Sequence, residues 1–272
     1  MFDNVSIDNV RNFWNKRPCN IRHSDKEPGS KEFFNEVQSR KYLVEPHIVN
    51  FADFKNCFGK RVLEIGCGIG TDTIMFARHG ARVTAIDYSE ESLKMAKIRA
   101  KVFELEDKIE FYHANVEELS KALPIEKFDL IYSFGVLHHT PHPEKAISEL
   151  KKYMGRGTKL KIMVYNRNSW KAIAARLCHP AWTADKAIAY QSEAQTGCPV
   201  TYSYTTFTVR KLLWGLKITD MFVDHIFPYI VPLYKKYQYK KVWYFRWMPK
   251  PLFRWLEKRL GWHLCITAEL PS

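Results

Sequence analysis

No stretch of this chain stays apolar over the ~20 residues that a membrane-spanning helix requires. The opening run from Met1 to Asp8 has acids where a secretory signal needs a basic and then an apolar segment. A cytoplasmic location, with peripheral membrane contact still open, is the expectation. None of the six cysteines (Cys19, Cys57, Cys67, Cys178, Cys198 and Cys265) belongs to a Cys-x-x-Cys pair, so neither a disulfide framework nor a structural zinc site is expected. His138, His139 and His142 crowd one His-His-Thr-Pro-His turn but lack a carboxylate or thiolate at helical spacing, and no metal site is expected. There is no internal repeat and no low-complexity tract. Acids are scarce: 29 Asp and Glu face 42 Lys and Arg, giving a net charge of +13 that favours polyanionic partners. With 46% hydrophobic and 26% charged residues over a length of 272, the composition excludes a disordered chain and allows a sizeable core.

From Lys60 onward, short apolar runs of β type alternate with helical stretches, the pattern of a parallel sheet covered on both faces. The expected strands are Arg61–Ile65, Arg82–Ile86, Lys108–His113, Phe128–Ser133 and Lys159–Val164, and between them lie helices over Thr71–His79, Glu90–Phe103 and Pro143–Met154. In the second helix Leu93, Ala96, Lys97 and Ala100 recur at helical spacing, behind an N-cap at Ser89 and acids at Glu90 and Glu91.

Three regions stand outside the alternation. Residues 1–58 hold Phe13 and Trp14 and a helix expected from Lys31 to about Val44. Residues 165–207 read as loop-rich. Residues 225–260 carry nine Lys or Arg against the single acid Glu257, so +8 of the +13 sits in one segment, interleaved with Tyr234, Tyr237, Tyr239, Trp243, Tyr244, Phe245, Trp247, Phe253 and Trp255.

The segment Val62–Gly70 places Gly66, Gly68 and Gly70 after a strand and before a helix, where the backbone turns sharply and lets a ligand approach a helix N-terminus. The spacing is Gly-x-Gly-x-Gly, not that of a dinucleotide binder, and Glu64 precedes it; a carboxylate there disfavours a pyrophosphate and suits a cationic ligand. The second strand ends at Asp87, where a carboxylate accepts both ribose hydroxyls of a nucleoside. The third ends at Asn115 and Val116, placed for adenine, and the fourth runs into the Ser133–Pro141 segment. Four successive strand ends therefore offer ligand-type residues on one edge.

On these motifs, Arg61 to Asn166 resembles the class I S-adenosylmethionine-dependent methyltransferases, in the group that includes quinone-biosynthesis enzymes. The resemblance implies a Rossmann-like α/β fold: a seven-stranded, mostly parallel sheet with helices on both faces and an antiparallel last strand, Lys217–Val223 and Trp262–Ala268 being the sixth and seventh strands. It implies S-adenosyl-L-methionine as cofactor and S-adenosyl-L-homocysteine as product, held by Glu64, Gly66, Cys67, Gly68, Gly70, Asp72, Asp87, Tyr88, Asn115, Val116 and Phe134. Cys67 is expected there as a space-filler, not a nucleophile. Residues 1–58 then form an N-terminal lid and residues 59–272 the methyltransferase domain, with insertions at 165–207 and 225–260 capping the substrate.

Methyl transfer from a sulfonium is an in-line displacement that rests on positioning, plus a base where the acceptor carries a proton. His138 is the candidate base by its likeness to phosphobase methyltransferases; the competing role is shaping the turn before Pro141. Tyr42, Tyr165 and Asn166 are further candidates to face the acceptor. Trp14 and Phe13 either cover the cofactor or dock the N-terminus, while Arg40 and Glu36 either bind the cofactor carboxylate or substrate, or form a solvated helix face. The 234–259 segment has three readings: an amphipathic surface for an anionic membrane with Leu252, Phe253, Leu256 and Leu260 on one face, a nucleic-acid site, or a lid with solvated cations. The expected activity is methyl transfer to a small molecule, anionic or amphipathic. An RNA or protein methyltransferase and a non-catalytic cofactor-binding protein are the alternatives, and the oligomeric state is left open.

Overall fold

In the computed structural model, which describes residues 2 and 4–271, the alternation builds one seven-stranded sheet. Ahead of the sheet lie α1 (Ile7–Lys16), α2 (Lys31–Val44) and α3 (His47–Ala52). Ser6 and Ser30 start the first two by accepting from Asp8 N and Phe33 N. Then follow β1 (Arg61–Ile65), α4 (Thr71–Arg78), β2 (Arg82–Asp87), α5 (Glu90–Val102), β3 (Ile109–His113), β4 (Phe128–Phe134), α6 (Pro143–Lys152) and β5 (Met154–Tyr165). The chain continues through α7 (Trp170–Cys178), α8 (Ala184–Gln191), α9 (Thr206–Leu212), β6 (Lys217–Asp224), α10 (Val231–Tyr234), α11 (Trp243–Arg246), α12 (Lys250–Leu260) and β7 (His263–Glu269).

The strand order is β3-β2-β1-β4-β5-β7-β6, with β7 antiparallel to both neighbours. Strands β1, β2 and β4 are buried at nearly every position because both faces are covered. Leu63, Ile65, Ile131 and Ile162 face a core with Ile147 and Leu150 of α6, while Val62, Leu130, Tyr132 and Met163 face another with Ile74 and Phe76 of α4 and Leu93 of α5. Because β7 runs backwards, its first residue lies at the edge where the other strands end: His263 pairs in register with Tyr165 of β5 and Asp224 of β6.

Several expectations need correction. The fifth strand starts at Met154, not Lys159: Thr158 donates to Phe128 O, and the strand resumes across a register shift. Residues 165–207 are not loop-rich, since α7 and α8 pack together on the small side chains Ala172, Ala175 and Ala187, too weakly apolar to mark a helical stripe. On α12, Leu252 is exposed at 47% beside Trp255 at 55%, and Glu257 is buried in its place. Arg254 holds both Glu257 and Asp224 and so ties this helix to the end of β6. Arg40 does not belong to a solvated face: it is 4% exposed, between the rings of Tyr234 and Tyr237. Glu36 accepts a hydrogen bond from Ser24.

Candidate functional site

At the carboxyl edge, β1 passes into α4 through a loop whose glycines at 66, 68 and 70 all have positive φ. At Gly66 a Cβ would lie 2.3 Å from Val136 Cγ2, so only glycine fits; at Gly68 it would point into open space. Gly68 N donates to Asp87 Oδ2 at 2.8 Å and Ser89 N donates to Oδ1 at 2.8 Å. Each carboxylate oxygen thus spends one lone pair on the backbone and keeps another for a hydroxyl. Burial raises the Asp87 carboxyl, and these amides oppose that rise.

The cleft beside this loop encloses about 810 Å³, including its open mouth. Of the expected cofactor residues, Gly66, Gly68, Asp87, Tyr88, Asn115, Val116 and Phe134 line it. Asn115 also uses Oδ1 to accept from Glu117 N at 2.9 Å. Glu64, Cys67, Gly70 and Asp72 sit beneath the loop instead. Glu64 accepts from Thr73, Cys67 is buried, and Gly70 abuts Ala96. Asp72 takes Lys41 Nζ and Tyr42 OH at 2.8 Å and Tyr132 OH at 3.0 Å, so it braces α2 against α4. Tyr42 therefore commits its hydroxyl to Asp72.

One wall of the cleft comes from α1. Val10, Arg11 and Trp14 line it; Arg11 lies 5.3 Å over the Tyr88 ring, Tyr88 OH donates to Asp8 at 2.9 Å, and Trp14 packs on His139 at 5.5 Å. His139 and Thr140 are lining residues that the sequence reading did not assign to the cofactor. Position after the fourth strand was the available signal, but it did not separate His139 from His138.

His138 is fully buried with both ring nitrogens lacking a partner, its ring 3.9 Å from that of Tyr165. Burial drives its pKa well down, so the imidazole is neutral and retains a free lone pair. Tyr165 stacks in turn at 4.5 Å from Trp262, over which Lys171 lies at 4.7 Å. Burial lowers the Lys171 ammonium to about 8. Asn166 donates to Gly261 O at 2.9 Å and accepts from Asn168 N at 3.1 Å.

A glycine loop, a ribose-type carboxylate and this sheet order are those of a class I methyltransferase domain. A family model described as a methyltransferase domain matches residues 58–212, more than half of the chain, and the protein belongs to this S-adenosylmethionine-dependent family. The ubiquinone biosynthesis O-methyltransferase of Aromatoleum aromaticum is 36% identical over 110 residues, 40% of this chain and 46% of that one, so the match spans under half the length of that curated relative. Among solved structures, the magnesium protoporphyrin IX methyltransferase of Synechocystis with bound S-adenosylhomocysteine superposes with a TM-score of 0.60 at 16% identity, covering 98% of this chain and 100% of that one. The geranyl diphosphate C-methyltransferase of Streptomyces coelicolor gives 0.60 at 14% identity, with 97% and 98% covered. At these identities the two structures share the fold.

Proposed function

We propose that this protein moves the methyl group of S-adenosylmethionine to a small acceptor, anionic or amphipathic, that enters between α1 and the Tyr165–Trp262 wall. The observation that carries the reading is Asp87, held by two backbone amides beside a glycine loop in which Gly66 has no room for a side chain. The bound cofactor supplies an electrophilic methyl on its sulfonium. Asp87 binds the ribose hydroxyls, Asn115 and Val116 flank the adenine, and α1 excludes water from the cleft. His138, neutral and with an unpartnered nitrogen, takes the proton of a hydroxyl acceptor, and Tyr165 packs against its ring to hold it in place. A relative named for ubiquinone biosynthesis supports a small acceptor, and Lys171 supplies a cation suited to an anionic one.

Calorimetric titration with S-adenosylmethionine and S-adenosylhomocysteine tests this, with Asp87→Ala alongside. Binding to the wild type that weakens about tenfold or more in the variant is expected, about 1.4 kcal/mol or more. Folded wild type that binds neither compound would overturn it, and binding without turnover on any small acceptor would favour a non-catalytic role.

A second reading concerns where the acceptor is met. Trp243, Trp247 and Trp255 are exposed at 76%, 78% and 55% amid the cations of the 225–260 segment. Interfacial tryptophans beside Lys and Arg suit an anionic bilayer surface. Sedimentation with phosphatidylglycerol vesicles, lost at high salt and in a Trp243→Ala/Trp247→Ala variant, is the expected result; salt-sensitive binding to RNA but not to vesicles would favour the nucleic-acid alternative.

A further inference from the structure

Beyond Phe134, away from the glycine loop, the sheet edge gathers four groups that the methyl-transfer reading does not use. They are Glu45 after α2, His47 at the start of α3, His225 after β6 and His263 at the start of β7. One ligating atom each of Glu45, His225 and His263 falls within 4.8 Å of the others. Phe134, which lines the cofactor cleft, lies 5.4 Å from the His263 ring and 6.0 Å from that of His47.

We propose that Glu45, His225 and His263 bind a divalent first-row transition metal ion beside the cofactor cleft, with His47 orienting His263 from behind. No metal was expected from the sequence, because the ligands come from three distant segments.

The arrangement has the parts such a site requires. His263 is bifunctional: Nε2 lies 3.6 Å from Glu45 Oε1, while Nδ1 lies 3.0 Å from His47 Nε2. A second imidazole on Nδ1 is the kind of outer contact that fixes the tautomer of a metal-bound histidine. His225 and His263 stack with centroids 4.6 Å apart and are buried. His225 holds a left-handed backbone, φ 73, that a residue with a side chain adopts at a cost. Its neighbours keep it there: Asp224 Oδ1 accepts from His225 N at 2.7 Å, Arg254 grips both oxygens of Asp224, and Trp262 N donates to His225 O at 2.7 Å. That close approach requires Gly261, where a Cβ would lie 2.1 Å from Asp224 O.

Lys171 is a cation that bears on both rings and opposes a metal. Two imidazoles and one carboxylate select Mn, Fe, Co or Zn over the all-oxygen preference of Mg and Ca. A groove lined by Pro46, His47, Asn50 and Asp224 runs past the orienting His47 and the residue before His225.

Three protein ligands leave positions open, and the class of molecule that fills them is the oxygen of a hydroxylated acceptor. This role rests on the methyl-transfer reading: an ion held by Glu45, His225 and His263 would supply Lewis acidity, so that the hydroxyl of the acceptor would give its proton to solvent more readily before its oxygen takes the methyl and S-adenosylhomocysteine leaves.

The test is metal content of the chelator-stripped full chain after loading with Co2+ or Zn2+ and removal of excess, with S-adenosylhomocysteine binding as a separate readout. About one equivalent bound, with at least about tenfold weaker affinity in Glu45→Gln, His225→Gln and His263→Gln, is expected. In the wild type, Co2+ is expected to show a visible d–d band without a thiolate charge-transfer band, a result independent of how the variants fold. Wild type that binds S-adenosylhomocysteine but takes up no metal, or a thiolate band, would overturn the site while leaving methyl transfer standing. Metal uptake without S-adenosylhomocysteine binding would support the site and sink the methyl-transfer reading.

Discussion

The Arg40 guanidinium donates to the Tyr234 carbonyl at 2.7 Å and lies 4.0 Å over the ring of the same tyrosine. With Tyr237 at 4.4 Å on the cation as well, α2 is tied to the basic-aromatic segment. A desolvated cation–π contact is worth about 2 kcal/mol. Arg40→Ala is expected to lower thermal stability by that order and to speed proteolysis between Tyr229 and Lys241. Arg40→Lys recovers only part of it, because an ammonium lacks the planar stacking surface. Melting curves and timed proteolysis check both.

Gly66→Ala combines a left-handed φ of 69° with a Cβ 2.3 Å from Val136. The backbone alone costs about 1 kcal/mol, and the clash adds to it. Loss of S-adenosylhomocysteine binding is expected, with partial recovery in the Gly66→Ala/Val136→Ala double variant; an equal loss in both would show that φ, not the contact, dominates.

Lys41 and Asp72 form an ion pair at 2.8 Å with side chains 11% and 3% exposed. Lys41→Met leaves a buried carboxylate with only the Tyr42 and Tyr132 hydroxyls, a loss of about 3 kcal/mol. Adding Asp72→Asn is expected to restore part of that stability in a denaturant double-mutant cycle; strict additivity would refute the coupling.

Burial, then the Asp72 carboxylate, raises the Glu64 carboxyl from 4.5 to about 8. The folded chain therefore favours the protonated form, so the stability this group contributes is complete below 4.5 and is lost as pH climbs through about 8. Glu64→Gln keeps an acceptor for Thr73 and removes the charge. Its melting temperature is expected to match the wild type near about pH 5 and exceed it near about pH 9; a constant offset would refute the assignment.

Much of this protein was written locally. The runs Arg61–Ile65 and Lys31–Val44 formed the expected elements with the same boundaries, because alternation, capping serines and apolar spacing act within a few residues. The glycine loop and Asp87 were legible for the same reason, since a strand end followed by glycines and a helix leaves the backbone few options. Placement beneath or within the cleft was not: Glu64 and Asp72 lie in the same motif as Gly68, yet turn to Thr73, Lys41 and Tyr132. Helices α7 and α8 stayed hidden because alanine stripes become a core only when each helix supplies the other's partner. What tertiary structure alone decided is the meeting of distant residues. Arg40 reaches Tyr234 across 194 positions and His47 reaches His263 across 216, because β6 ends and the antiparallel β7 begins at the edge where the other parallel strands end. No local pattern encodes such a return; it follows from burying both faces of one sheet at once.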